Sequence, residues 1–216
     1  MNVKLVRQDD GTIRVGDTIL DATRWCRHRI PEPACGSEVT VCEAFGFLAQ
    51  RASLRHLVIG VIGPREASAA QICAAERIGH DLGRLGLTLI CGGKTGVMEA
   101  VSKGCAEAGG LMIGILPGNE PADANPFVSV PLPTGLGEAR NMVIAKSARV
   151  LIAIGGSYGT LSEVAYGLHF SKTVIGLVGA PDVAGVSHVA TPDAAVSRTL
   201  EALIAAAPVR DWQSDV

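Results

Sequence analysis

Aromatic residues are scarce in this 216-residue chain: Phe, Trp and Tyr together make up 4% of it. A core without them is filled by aliphatics, and the 48% of hydrophobic residues are mostly Ala, Val, Ile and Leu. That is the filling of a parallel sheet covered on both faces by helices. Runs of basic residues are also missing and the net charge is −2, so nothing recommends a nucleic-acid surface. No uncharged apolar stretch approaches the length that crosses a bilayer. The opening Met1-Asn2-Val3-Lys4-Leu5 soon turns acidic, so no signal peptide is expected. The six cysteines (26, 35, 42, 73, 91 and 105) are scattered and read as reduced thiols. Cys26, His28, Cys35 and Cys42 match no finger or ribbon spacing, so no metal site is expected. The chain reads as a soluble, cytoplasmic protein with neither membrane nor nucleic acid as partner.

What the chain has in abundance is glycine, 26 residues without a collagen-like period, as many tight strand–helix turns require. Two glycine-rich turns stand out: Cys91-Gly92-Gly93-Lys94-Thr95-Gly96 and Gly155-Gly156-Ser157-Tyr158-Gly159-Thr160. Each follows a short apolar run, residues 87–90 and 150–154, and each opens a segment of helical periodicity. A strand feeding a glycine turn that starts a helix presents bare N–H groups and a positive helix end, a seat for phosphate. Two such seats side by side on one sheet point to a ligand carrying phosphate and something more, a nucleotide-like molecule.

The length suits one α/β domain with an accessory segment. Residues 1–52 read as an N-terminal extension in which 3–7 and 12–15 form a hairpin around Asp9-Asp10-Gly11. Residues 18–28 fit a short helix or a strand, broken by Ile30-Pro31-Glu32-Pro33. Residues 53–210 read as a Rossmann-like nucleotide- or phosphate-binding domain. Strands are predicted at 56–62, 87–90, 111–116, 127–130, 150–154 and 173–178. Helices are predicted at 67–85, 96–108, 138–147 and 159–170, and a last one runs to residue 206 with Thr191 as cap and Pro192 at its first position. The alternation gives an α/β fold: a doubly wound, mostly parallel, Rossmann-like sheet with a hairpin-like N-terminal extension. In such sheets helix N-termini and strand C-termini share one rim, where ligands bind. Arg140 and Glu163, early in their helices, belong on that rim.

Several motifs are excluded. Gly93-Lys94-Thr95 resembles the end of a P-loop, but the required first glycine is Thr88, inside a strand. Neither turn is G-x-G-x-x-G, which counts against an NAD-dependent dehydrogenase. Thr160-Leu161-Ser162-Glu163 fits a capping box, with Thr160 as cap and Glu163 reaching back. Against that, a carboxylate beside a phosphate seat repels the ligand unless it serves chemistry or is neutralised by an arginine. Arg140 is either a solvated helix cation or a rim ligand, and Pro133-Thr134-Gly135-Leu136-Gly137-Glu138-Ala139 leading into it favours the rim. Glu99 and Glu138 are divided between capping and ligand contact. Met98 reads as core packing.

Three segments together resemble a known family: Gly92-Gly93-x-x-Gly96-Val97-Met98-Glu99-Ala100, the run from Gly109 to Gly118, and Gly155-Gly156-x-x-Gly159-Thr160-x-x-Glu163. They are similar to the LOG-like ("lysine decarboxylase-like") Rossmann family over about residues 56–180. That family includes cytokinin-activating phosphoribohydrolases and the molybdenum cofactor carrier protein. The Pro-Thr-Gly-x-Gly-Glu-Ala-Arg-Asn segment places the chain nearer the carrier-like subgroup. In the phosphoribohydrolases an arginine and a glutamate carry catalysis, and Arg140 and Glu163 match them by motif. Asn141 stands where those enzymes have lysine, Lys94 where they have a third glycine, and Gly63-Pro64-Arg65 is a bulkier first loop.

The resemblance therefore implies a binding protein for a phosphorylated, nucleotide-like ligand, with no required cofactor. Molybdenum cofactor or a nucleoside monophosphate is the ligand it suggests. Gly63, Gly92, Gly93, Lys94, Gly96, Gly155, Gly156, Ser157, Gly159 and Thr160 would form the binding turns, with Arg140 adding charge. The alternative is a phosphoribohydrolase that releases free base and ribose 5-phosphate through Arg140 and Glu163, and a regulatory nucleotide sensor is a third reading. Family members usually form dimers, so a homo-oligomer is expected, with the helix at 67–85 as its interface.

Overall fold

The computed structural model describes residues 4–30 and 36–211. Val3, Pro31, Glu32, Pro33 and Cys35, which the sequence reading used, lie outside these. Contacts divide the chain into Arg55–Thr199 and a smaller unit joining Met1–Leu54 to Leu200–Val216.

The smaller unit is a six-stranded sheet rather than a single hairpin. Its strands β1 (Leu5–Arg7), β2 (Ile13–Val15), β3 (Thr18–Asp21) and β4 (Cys26–Arg29) form an antiparallel meander. Strand β5 (Ser37–Glu38) flanks β1 and is followed by helix α1 (Val41–Arg51). The hairpin around Gly11 forms as expected, with Gly11 at φ 79° where a side chain would be strained. Residues 18–28 are two strands rather than one element, with Asp21 opposite Cys26. Trp25 and Phe45 anchor the core with ring centroids 5.4 Å apart, and the Trp25 indole N–H donates to the Leu203 carbonyl at 2.9 Å. The described residues from Leu200 onward belong to this unit, whereas a boundary at 52/53 assigns them to the larger one.

The larger unit alternates strand and helix: β6 (Val58–Ile62), α2 (Ala69–Arg84), β7 (Thr88–Cys91), α3 (Val97–Glu107), β8 (Leu111–Leu116), β9 (Val130–Pro133), α4 (Arg140–Ser147), β10 (Val150–Ile154), α5 (Tyr158–His169), β11 (Thr173–Leu177) and β12 (Val186–His188). Helix α6 (Pro192–Ala205) is divided between the two units, and β13 (Val209–Arg210) pairs with β4. The strands of the larger unit form one sheet in the order β12-β11-β10-β6-β7-β8-β9, every pairing parallel. Its core is aliphatic: Ile62, Ile90, Ile115, Ile144, Leu151 and Val164 are fully or almost fully buried. This is the doubly wound, Rossmann-like sheet that the alternation predicts.

Three expectations change. The strand placed at 127–130 lies at Val130–Pro133. Its two prolines cannot donate to a ladder, yet β9 is an edge strand, where that loss is tolerated. Strand β12 was not anticipated; it is a short edge pairing with β11. The apolar side of α2, expected to meet a second copy of the chain, is consumed within the unit: Ala75, Ile78 and Leu82 are fully buried.

Helices α2 and α3 approach closely enough to demand glycine. A Cβ on Gly104 would collide with the Glu76 carbonyl, and one on Gly79 with the Val101 carbonyl. Gly104→Val should therefore lower unfolding stability by about 1–3 kcal/mol in urea titrations. Gly46→Ala in α1 meets nothing within 4 Å and should instead stabilise by about 0.5–1 kcal/mol. Equal effects at the two positions would contradict the packing described.

Candidate functional site

Consecutive crossovers run from β6 outward through β7, β8 and β9 on one side, then return to β10, β11 and β12 on the other. The order reverses between β6 and β10, and the loops leaving those two strands diverge to open a crevice at their carboxyl ends. A cleft of about 510 Å3 lies there, within the range of small-molecule sites. The loop after β6 contributes Gly63, Pro64, Arg65 and Glu66, and the turn after β10 contributes Gly156 and Ser157. Gly159, Thr160 and Glu163 enter from α5, Glu138 from the turn before α4, Arg140 and Asn141 from the start of α4, and Met98 from α3.

Helix α5 begins earlier than the capping box implied. Ser157 is its N-cap, extended at φ −145°, and its hydroxyl accepts from the Thr160 N–H at 3.3 Å. Thr160 is therefore the third helical residue rather than the cap, and Glu163 lies one turn beyond reach of the helix start. The carboxyl is released from capping and is 6% exposed within the cleft lining. The first turn of α5, with N–H groups that no helical carbonyl can satisfy, faces an anion-favouring end.

Arg140 is the first residue of α4, after a 3-10 turn at Gly137–Ala139. It is 4% exposed, and its Nε has no hydrogen-bond partner. One guanidinium nitrogen lies 3.8 Å from Glu163 Oε1, too long for a hydrogen bond but close enough for attraction. A Cβ on Gly92 would strike this guanidinium, so the bare backbone of the first glycine turn is the wall that seats Arg140. Burial pushes the Glu163 carboxyl up to about 8; Arg140 pulls it back and Glu138 pushes it further. Desolvation outweighs the arginine and holds the Glu163 carboxyl well above the usual carboxylate range. Asn141 donates to Ser162 Oγ at 2.9 Å and to the Gly159 carbonyl at 3.4 Å. It thus ties α4 to α5 beside the cleft.

Of the residues expected to bind, Gly63, Gly156, Ser157, Gly159, Thr160, Arg140 and Glu163 share the cleft lining. Gly92, Gly93, Lys94, Gly96 and Gly155 are not part of it. The two glycine turns are not side by side, because β6 stands between β7 and β10. The Lys94 ammonium is turned to Asp123, 3.0 Å from its carbonyl and 3.5 Å from its carboxylate. The N-terminus of α3 is covered, with the Val97 N–H donating to the Pro64 carbonyl at 3.1 Å. Gly155, at φ 67°, backs onto the Gln71 side chain. Cys91, below the first turn, is fully buried, and that burial raises its thiol, which leaves it no nucleophile.

Sequence reasoning did not select Pro64, Arg65, Glu66 or Asn141, and it assigned Met98 to the core. The first three follow β6, the strand at the reversal, and strand order is what marks that loop. Arg65 and Glu138 stand at the mouth 3.7 Å apart, both exposed.

The raised Glu163 pKa destabilises the fold at high pH. The folded carboxyl keeps its proton while the unfolded one ionises, so stability is lost as pH rises from 4.5 to about 8. Glu163→Gln should match wild type in thermal midpoint near pH 4 and exceed it progressively up to about pH 8. A difference independent of pH would show that Glu163 is an ordinary ionised carboxylate.

A family model described as the SLOG cluster4 family matches residues 56–205. An uncharacterized protein of Archaeoglobus fulgidus is 38% identical over 144 residues, covering 67% of this chain and 95% of that protein. The structure of the molybdenum cofactor binding protein of Rippkaea orientalis is similar at 35% identity and a TM-score of 0.64, over 68% of this chain and 96% of that one. The molybdenum cofactor carrier protein of Chlamydomonas reinhardtii is similar at 35% identity and a TM-score of 0.63, over 68% and 97%. No helix among the described residues is long and apolar enough to cross a membrane. The chain belongs to the SLOG cluster4 family and, among LOG-like Rossmann proteins, stands with the molybdenum cofactor carrier subgroup.

Proposed function

We propose that this protein binds a phosphorylated, nucleotide-like small molecule in the cleft between the β6 and β10 loops. The observation that carries this reading is the buried Arg140 guanidinium, whose Nε has no hydrogen-bond partner beside the first turn of α5. A buried cation with an unmet donor on its Nε calls for an anion. A phosphate between Arg140 and the amide groups of α5 meets that demand, and the cleft volume leaves room for a ring system beside it. Its relatives named for the molybdenum cofactor make a pterin phosphate the first ligand to try, with nucleoside monophosphates next. The cofactor is then cargo, and the chain needs no resident metal in the cleft.

Protonated Glu163 suits binding: as a neutral acid it donates a hydrogen bond to the ligand instead of repelling phosphate. A net charge of −2 without a basic run supports a small molecule rather than nucleic acid. Free thiols at Cys73, Cys91 and Cys105 fit a reducing cytoplasm. Exposed Met142, Leu161 and Tyr158 on α4 and α5 support a homo-oligomer through that face.

The second reading, phosphoribohydrolysis, rests on the 3.8 Å pairing of Arg140 with Glu163. An ionised Glu163 would stabilise an oxocarbenium-like sugar or orient water, and Arg140 would hold the phosphoribosyl group. The two readings demand opposite charge states of Glu163. Carrier-type affinity should fall as pH rises through about 8 in wild type and stay flat in Glu163→Gln, whereas hydrolysis should rise over that interval. Calorimetry with a nucleoside monophosphate panel and a pterin phosphate should find tight retention without free base. Arg140→Ala should weaken binding by about 10–100-fold, as loss of a hydrogen bond to charge does. Base release that disappears in Glu163→Ala would replace the carrier reading with the hydrolase.

A further inference from the structure

The hairpin of β3 and β4 in the smaller unit carries a cluster that the cleft does not use. Cross-strand register puts Asp21 opposite Cys26, and the two-residue period of a strand puts His28 on the same face as Cys26. One ligand atom from each of Asp21, Cys26 and His28 lies within 4.8 Å of the other two. Cys26 and His28 are buried at 0% and 2% exposure, while Asp21 is half-buried and gives the cluster its solvent edge. Cys26 Sγ lies 3.3 Å from His28 Nε2. Zinc bonds of about 2.3 Å to sulfur and about 2.0–2.1 Å to nitrogen set a tetrahedral edge of roughly 3.5 Å. The two donors already stand at nearly that separation.

The third donor is held ready as well. Asp21 Oδ1 accepts from the Thr23 N–H at 2.8 Å and the Arg24 N–H at 3.1 Å. These bonds orient the carboxylate and leave its second oxygen to ligate, as outer hydrogen bonds do for carboxylate ligands elsewhere. Trp25, just before Cys26, has φ 52°, a conformation that bulky residues rarely adopt. The Trp25–Leu203 hydrogen bond and the Phe45 contact hold it there. A turn kept under strain by its surroundings and set beside three convergent donors is a recurrent mark of function.

The geometry points to a zinc-class divalent cation site in this hairpin, held by the Cys26 thiolate, the His28 imidazole and the Asp21 carboxylate. A water on the Asp21 side completes the tetrahedron. The mixed sulfur, nitrogen and oxygen set suits a borderline-soft ion, and Cys26 releases its proton to solvent when the metal binds. The metal clamps two strands of a unit whose own core is small. Sequence spacing hid the site because it tested Cys26 and His28 against Cys35 and Cys42; the partner is Asp21, found only through strand register.

Cobalt titration of the full chain after chelator treatment tests this. Stoichiometric Co2+ should give a thiolate charge-transfer band in the near ultraviolet together with intense tetrahedral d–d bands, and zinc should displace it. Cys73→Ser, exposed on α2 of the larger unit, should leave the spectrum unchanged, and Cys26→Ser should abolish the charge-transfer band. Asp21→Asn should keep the band but weaken affinity by more than the roughly 10–100-fold that loss of an outer-shell partner costs. Because Cys26 is buried and its variant can misfold, X-ray absorption on the wild-type zinc complex provides a second reading, with one sulfur expected in the shell. The proposal is overturned by absence of cobalt absorption, by a charge-transfer band that survives Cys26→Ser, or by a shell without sulfur. Each of these would leave Cys26 and His28 as a thiol–imidazole hydrogen bond.

Discussion

A guanidinium that is 4% exposed and lacks a partner on its Nε is costly unless something compensates it. Arg140 is placed there by several independent features. The 3-10 turn at Gly137–Ala139 delivers it to the start of α4, and Gly92 withdraws the side chain that would otherwise occupy its seat. Glu163 lies near enough to attract but too far to satisfy it. The first turn of α5 lines the same cleft and also lacks negative charge. Cation, helix end and buried acid line one concavity.

The sheet explains why these groups meet. Arg140 and Glu163 come from different helices, and the Gly63–Glu66 and Gly156–Ser157 segments follow different strands, yet all converge where the winding reverses between β6 and β10. The glycine turn after β7 lies one strand further along and serves the site from behind. Its backbone seats Arg140, and Lys94 is engaged by Asp123. A motif with the outward form of a phosphate loop thus serves as the wall behind a buried arginine.

Much of this was readable in the amino-acid order. The alternation of apolar runs with 3.6-residue periods gave strands β6, β7, β8, β10 and β11 and helices α2 to α6 to within a few residues. Thr191 and Pro192 at the start of α6 behave as their chemistry requires, the Ala194 N–H donating to the Thr191 hydroxyl at 3.1 Å. What failed depended on information outside any local window. The cap of α5 was misplaced because both Ser157 and Thr160 are competent caps, and the turn geometry after β10 decides between them. The strand at Val130–Pro133 was missed because its prolines argue against a ladder, and only edge position admits them. Which glycine turn faces the cleft depended on strand order, which the periodicities do not carry.

The central claim is that Arg140 and the start of α5, not the turn from Gly92 to Gly96, form the anion seat. A crystal structure with a bound nucleoside monophosphate or pterin phosphate tests it most directly. The account predicts phosphate oxygens within hydrogen-bond distance of the Arg140 guanidinium and of backbone N–H groups in the first turn of α5. Phosphate lodged against Gly93, Lys94 and Gly96, with Arg140 left unengaged, would contradict it.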